Sequence, residues 1–401
     1  MISDIYKACL EGDTNLVQAL IQTSPDNVEI NRLEPDGSTA LHVACSEGFV
    51  DIVQFLLDDS RVDRHRRNTD GRSAYQVAST EEIRQLFRRP QCQTNPFCTN
   101  ENLSSPFELI ESTHTSDPRY IDVYRSAAPI LTDLHSGVLH AYSDAWSATF
   151  DSIKCFFGYD PDKERFSKWR KDLQIHLEQC LIDDYLKRSL EPNYSSYSKA
   201  NQCMEAFEQT REVEHLLKLY TIDITLSQYF AQNPVRTNCL HAPISFALFH
   251  LEARAYKGKC FRGLRMKTTE FEKYQRALLQ EKNYVRTNTF CSTSPDRSVA
   301  QIFADSGAPF DAIPIVMCIN FNEACSTALS LFSCSPQLKC LSYYENEQEV
   351  LILPGTVFSV TGIQDDPQTE SKCICLEHFN TDEEEVEMHQ DRFQSFVDLI
   401  D

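Results

Sequence analysis

At 401 residues the chain is long enough for two or three domains, each with a core of its own. Apolar residues make up 41% and aromatic residues 10%, which argues against overall disorder. A formal net charge of −21 argues against nucleic acid or an anionic membrane as partner of the whole chain. The opening Met1-Ile2-Ser3-Asp4-Ile5-Tyr6-Lys7 lacks the basic and apolar regions of an export signal, and no apolar run approaches the roughly 18 residues of a membrane span. Sixteen cysteines scatter without paired spacing, so reduced thiols in a cytoplasmic protein are expected.

Residues 1–89 repeat with a period of 34: Asp36-Gly37-Ser38-Thr39-Ala40-Leu41-His42-Val43-Ala44 returns, degraded, as Asp70-Gly71-Arg72-Ser73-Ala74-Tyr75-Gln76-Val77-Ala78. Both resemble the ankyrin signature, a glycine turn leading into a Thr-x-Leu-His helix start. The Gly-separated run Ser46 to Leu57 reads as the second helix of the repeat, and Ile5 to Ile21 as an N-terminal capping repeat. His42 reads as the structural histidine of the repeat turn. A stack this short binds a protein or packs on the rest of the chain, and both readings stay open.

Residues 90–117, rich in Pro, Asn, Thr and Ser, read as a linker that includes Cys92 and Cys98. Residues 118–204 read as helices, with apolar positions at helical spacing in 130–142 and 173–182. Residues 205–378 alternate further helices (212–221, 243–254, 269–281, 299–304) with strands at 260–265, 289–294, 313–319, 350–353, 356–363 and 373–376. Ser294 or Asp296 would cap the helix at 299–304. Residues 379–401 form an acid-rich tail with helical spacing.

The densest stretch is Tyr343-Tyr344-Glu345-Asn346-Glu347-Gln348-Glu349-Val350-Leu351-Ile352-Leu353-Pro354. Val350 to Leu353 reads as a buried strand stopped by Pro354 and Gly355. On an extended backbone Glu347 and Glu349 would project from the same face, beside exposed tyrosine rings on a loop. Two carboxylates at a strand mouth suit a cation or an oxocarbenium-like sugar; taken alone, the pair fits a solvated edge strand better.

Three elements occur in order: Phe261-Arg262-Gly263, Phe290-Cys291-Ser292-Thr293-Ser294, and Glu347-Gln348-Glu349-Val350-Leu351-Ile352. Arg262 and Ser292 are 30 residues apart, Ser292 and Glu349 57. Together they resemble the Arg–Ser–Glu signature of arginine-specific mono-ADP-ribosyltransferases, of the clostridial C2/C3-toxin and vertebrate ecto-enzyme type, from about Leu216 to Leu376. The preceding ankyrin module resembles the arrangement in rotifer-like members. Leu353 stands where a first proline is frequent, and 118–204 has no counterpart.

The resemblance implies a multidomain chain: all-α ankyrin repeats, a helical middle, and a C-terminal α+β ADP-ribosyltransferase fold with a mixed β-sandwich core and flanking helices. It implies transfer of ADP-ribose from NAD or NADP, as co-substrate, to a protein arginine. NAD glycohydrolysis, or an ankyrin adaptor with an inactive transferase fold, are the alternatives. Arg262 would hold the pyrophosphate by its forked charge, and Gly263 would leave its backbone open to the nicotinamide. Ser292 would bond the ribose, with Thr293 and Ser294 in the same cofactor-binding turn. Glu349 would be the catalytic carboxylate, Glu347 would orient and deprotonate the acceptor guanidinium, and Tyr343 or Tyr344 would stack on it. Neither a metal nor a permanently bound cofactor is implied; Cys373-x-Cys375-x-x-His378 reads as strand cysteines. The expected partners are a protein acceptor bearing arginine and a protein bound by the repeats.

Overall fold

The computed structural model describes residues 2–23, 27–59, 61–89, 107–110, 163–183, 194–223, 226, 229, 244, 251–279, 284–287, 289–305, 312–335, 337–353, 356–366 and 369–379. The chain forms two compact units: Met1–Gln91 with Leu177–Asp223 and Phe332–Glu347, and Cys92–His176 with Ile224–Leu331 and Gln348–Asp401.

In the first unit, α1 (Asp4–Glu11), α2 (Thr14–Thr23), α3 (Asn27–Ile30), α4 (Ala40–Glu47), α5 (Val50–Asp58), α6 (Ala74–Val77) and α7 (Glu81–Leu86) build the repeats. Hydroxyls start them where the sequence supplies them. Ser3, Thr39, Ser73 and Thr80 each accept from a backbone N–H of the first turn, satisfying a donor the helix leaves open. Ala8, Cys9, Val17, Ala44, Cys45, Val53, Leu56 and Ile83 lie in one buried cluster, the shared core that stacked repeats need. His42 completes a capping box with Thr39, and its Nε2 lies 3.0 Å from the Arg72 carbonyl oxygen one repeat on. Burial lowers its pKa and favours the neutral ring.

Among the described residues three helices follow: α8 (Lys163–Glu178), prolonged by a π-helical turn at Gln179–Asp183, α9 (Tyr194–Thr210) and α10 (Glu214–Ile222). In the first unit α9 and α10 pack together, burying Met204, Phe207, Leu216, Leu217 and Leu219.

The second unit holds a mixed sheet of β1 (Phe107–Ile110), β2 (Ala255–Lys267), β3 (Tyr284–Thr287), β4 (Cys291–Thr293), β5 (Ala312–Ser330), β6 (Val350–Ile352), β7 (Val357–Asp365) and β8 (Lys372–His378). Its order is β1-β3-β7-β8-β5-β6-β4, with β2 also on β5. Among the described strands only the β5–β8 pair runs parallel. The 19-residue β5 is the spine: its first half lies between β2 and β8, and its end pairs β6 through Ala328–Ser330. Helices α11 (Thr268–Leu279) and α12 (Arg297–Asp305) complete the unit.

Several expectations change. Residues Phe107–Ile110, expected within the linker, form β1 against β3, because this short apolar run pairs with an edge strand. The helix expected to reach Arg254 is, in its described part, a 3-10 turn at Glu252–Arg254, with β2 starting at Ala255. Strand β5 continues eleven residues past Ile319 through small and polar side chains that mask it, since backbone pairing to β2 and β6 carries it. The expected helices within 118–162 and 245–250 and the acidic tail from Thr381 lie outside the described residues.

Candidate active site

The second unit brings Arg262, Ser292 and Glu349 together. Phe261 and Ser294 exchange backbone hydrogen bonds of 2.7 and 2.9 Å, lashing β2 to the end of β4. Strand β4 pairs β6 with Ser292 opposite Leu351, and the Leu331 N–H donates to the Glu349 carbonyl oxygen at 2.8 Å. Each of the three residues is thereby fixed at a strand or strand mouth. The Ser292 hydroxyl donates to Glu349 Oε1 at 2.6 Å, and Arg262 Nη1 donates to the Ser292 carbonyl oxygen at 2.7 Å. Glu349 is buried, while Arg262 and Ser292 are half-buried. A short O–H···O⁻ bond of this kind orients the carboxylate.

Gly263 has a tighter reason for lacking a side chain than an open backbone. A Cβ there would lie 1.7 Å from the Ala300 carbonyl oxygen and 2.8 Å from the Ala304 nitrogen, both backbone atoms of α12. Ala300, Ala304 and Val316 are buried together with Phe261 against them, so the glycine and two alanines let helix meet strand. Thr293 is buried, its hydroxyl donating to the Val350 carbonyl oxygen at 2.8 Å. The Ser294 hydroxyl accepts from the Asp296 N–H at 3.1 Å, and Asp296 caps α12 through the Ser298 N–H at 2.8 Å.

Tyr343, Tyr344 and Glu347 belong to the first unit. Residues Glu345–Glu347 form a 3-10 turn and Gln348 has φ +46°, in the left-handed region. The strand begins only at Val350, so the alternation that would put Glu347 and Glu349 on one face of a strand does not apply. The rings are also less open than expected: Tyr344 is 4% exposed and Tyr343 half-buried. Each is engaged within its unit. Arg64 lies over both rings, 4.8 Å from the Tyr343 centroid and 5.2 Å from that of Tyr344. Arg89 lies 4.3 Å over Tyr344, and its Nε and Nη2 donate to the two Glu347 carboxylate oxygens at 2.8 and 3.0 Å.

Residues 5–92 match the model of the ankyrin repeats, in three copies, and residues 223–383 that of the NAD:arginine ADP-ribosyltransferases. The chain joins ankyrin repeats to an ADP-ribosyltransferase domain. Among curated proteins it is similar to the tyrosine-protein kinase HTK16 of Hydra vulgaris, 37% identical over 73 residues, or 18% of this chain and 10% of the kinase. It is likewise similar to protein phosphatase 1 regulatory subunit 27 of Mus musculus, 33% identical over 70 residues, or 18% of this chain and 43% of that protein. The chain thus spans less than half the length of either relative. Among solved structures, the Vis toxin, an ADP-ribosyltransferase of Vibrio splendidus, is 18% identical over 58% of this chain and 91% of its own, at a TM-score of 0.26. The C3 exoenzyme of Clostridium limosum is 15% identical over 46% of this chain and 93% of its own, at a TM-score of 0.30.

Sequence reasoning missed Arg64 and Arg89. Arg89 meets Glu347 across 258 positions, and its neighbour Arg88 turns back to Glu81 at 2.8 Å, so the basic pair itself gives no hint of the contact. Cys373, Cys375 and His378 lie on β8, and His378 packs between the rings of Phe321 and Phe358. Among the described residues the one trio of potential metal ligands within 4.8 Å is Glu212, Glu214 and His215, where Glu214 is paired with Lys339. Among the described residues no helix is long and apolar enough to cross a membrane.

Proposed function

We propose that the chain transfers ADP-ribose from NAD, with NADP the alternative donor, to the guanidinium of a protein arginine. The observation that carries this reading is the Ser292–Glu349 hydrogen bond of 2.6 Å with Arg262 donating to the same serine's carbonyl oxygen. Arg262 offers the forked cation a pyrophosphate needs, and the Ser292 hydroxyl suits a ribose. Glu349 bonds the ribose 2′-OH and stabilises the positive charge that grows on the ribose as the bond to nicotinamide breaks and its electron pair leaves with the ring. An acceptor guanidine nitrogen then forms the new bond to the same carbon, and its proton passes to Glu347. Tyr343 and Tyr344 supply rings on which such a guanidinium stacks. The acceptor is an arginine-bearing protein, and the repeats hold a protein partner.

Labelled NAD with agmatine, a small guanidinium acceptor, tests the reading. ADP-ribosyl-agmatine and equimolar nicotinamide are expected. Free ADP-ribose as the sole product would make the chain an NAD glycohydrolase, with water in place of arginine; no turnover of NAD would leave an ankyrin adaptor with an inactive domain.

A further inference from the structure

Glu347 and Tyr344 already hold a guanidinium, and it is the chain's own. Arg89 follows the last ankyrin helix, α7, by three residues. Nε and Nη2 form a fork on the two Glu347 oxygens, and the guanidinium carbon stands 4.3 Å over the Tyr344 ring. Nη1 and Nη2 donate further to the carbonyl oxygens of Ile222 and Thr221 at 3.3 and 3.0 Å, at the end of α10. The Arg89 and Glu347 side chains are only 15% and 10% exposed. A bidentate carboxylate beneath a stacked aromatic ring is the recognition that an acceptor arginine requires.

The repeats secure the rest of the same loop. Arg64 covers Tyr343 and Tyr344 and donates to the Phe87 carbonyl oxygen. Arg67 Nη2 donates to Ser333 Oγ at 2.9 Å, and the Ser73 hydroxyl to Glu345 Oε2 at 2.7 Å. From α10, the Thr221 hydroxyl accepts the Tyr343 N–H at 2.7 Å. These contacts lie within one unit, so the fork is built into the loop's own surroundings.

We infer that Arg89 is an internal pseudo-acceptor: its guanidinium fills the acceptor-arginine subsite of Tyr344 and Glu347, and an external arginine enters only when Arg89 leaves. The inference rests on the proposed role of Glu347 in holding the acceptor. It gives the repeats a task in the reaction, because Arg89 is anchored where they end. A ligand tethered in the same chain competes at an effective concentration of millimolar order, without any new molecule. The apparent affinity for an outside guanidinium falls in proportion to the fraction of time the subsite is open.

The test is agmatine binding by calorimetry to the full chain, to Arg89→Ala, and to the double variant Arg89→Ala with Glu347→Gln, alongside the agmatine KM and kcat of transfer. The expected result for Arg89→Ala is binding tighter by about tenfold, the gain from a subsite open about a tenth of the time in the wild type, with KM lower by a similar factor. The double variant should lose that gain. If a folded Arg89→Ala binds agmatine no better than wild type while adding Glu347→Gln to it abolishes binding, the pseudo-acceptor is wrong and the acceptor reading stands. If the gain survives Glu347→Gln, Glu347 is not the acceptor carboxylate and both ideas fall. Thermal melting reports whether Arg89→Ala folds; should it not, Arg89→Gln, which keeps donors for the α10 carbonyls but lacks the fork, decides by the same criteria.

Discussion

Glu347 and Glu349 are two residues apart, and the fold treats them as members of different regions. Glu349 sits at the mouth of β6, its backbone bonded to Leu331 and its carboxylate oriented by a neutral hydroxyl, that of Ser292. Glu347 ends a 3-10 turn on a loop clasped by ankyrin side chains, and its partner is a cation, Arg89. Gln348, which separates them in the sequence, has a left-handed backbone. The strand mouth is fixed by backbone pairing, which no side-chain substitution removes. The loop is held by side chains, from Arg64, Arg67, Ser73, Arg89 and Thr221, each through a contact of its own. The rigid region suits bond cleavage, which demands preorganised charge, and the releasable one suits admission of an acceptor.

The largest expected effect tests the rigid side. Glu349→Gln keeps an acceptor for Ser292 but removes the charge proposed to stabilise the growing ribosyl cation. Transfer and nicotinamide release should both fall by at least about a hundredfold, ~2.7 kcal/mol of barrier, with the melting temperature little changed. A loss below about tenfold, ~1.4 kcal/mol, would move the chemistry elsewhere. Glu347→Gln tests the other side. Agmatine labelling should fall more than nicotinamide release, so that the ratio of transfer to hydrolysis drops by about tenfold. Equal falls in both products would place Glu347 on the NAD side and erase the contrast. Ser292→Ala is a finer probe: loss of the hydroxyl that orients Glu349 should slow nicotinamide release by about tenfold, leaving the transfer-to-hydrolysis ratio where it was. A changed ratio would mean that the two carboxylates are not independent.

What could be read in the sequence follows the same division. Ordered strand motifs announced Arg262, Ser292 and Glu349, because strands show as apolar runs and each motif sits at one. The repeats announced themselves by period, down to the Thr39–His42 turn. The surroundings of Glu347 were not legible. A 3-10 turn over Glu345–Glu347 looks like an extended strand mouth when only i, i+2 spacing is counted, and Arg89 is the last residue before a Pro-rich stretch that reads as linker. The tight packing at Gly263 was equally hidden, since what excludes a side chain there is the backbone of a helix beginning 34 residues later. Long-range contacts carried by single side chains leave no periodic trace.

The smallest expected effect concerns pH and the clasped loop alone. His65 packs edge-on to Tyr343 with ring centroids 5.5 Å apart, and its Nε2 is wholly buried although the residue is half-exposed overall. Burial, then the charges of Lys218 and Arg64, hold its pKa well below 6.5. The unfolded chain therefore takes up a proton on this residue before the folded one does, so stability from His65 is full above about pH 6.5 and is lost as pH falls below it. Protonation would set a third cation beside Arg64 and Lys218 at the loop that carries Glu347. His65→Phe keeps the edge-on ring and removes the titration. Between pH 7 and pH 5 the wild type should lose more melting temperature than His65→Phe, by a few degrees, since ~1 kcal/mol corresponds to about 2–4 °C in a domain of this size. His378, half-buried on β8 with a pKa pushed down by desolvation to about 4, is unchanged in both proteins and supplies a common background. Identical acid profiles would mean that His65 is not what ties the loop's stability to pH.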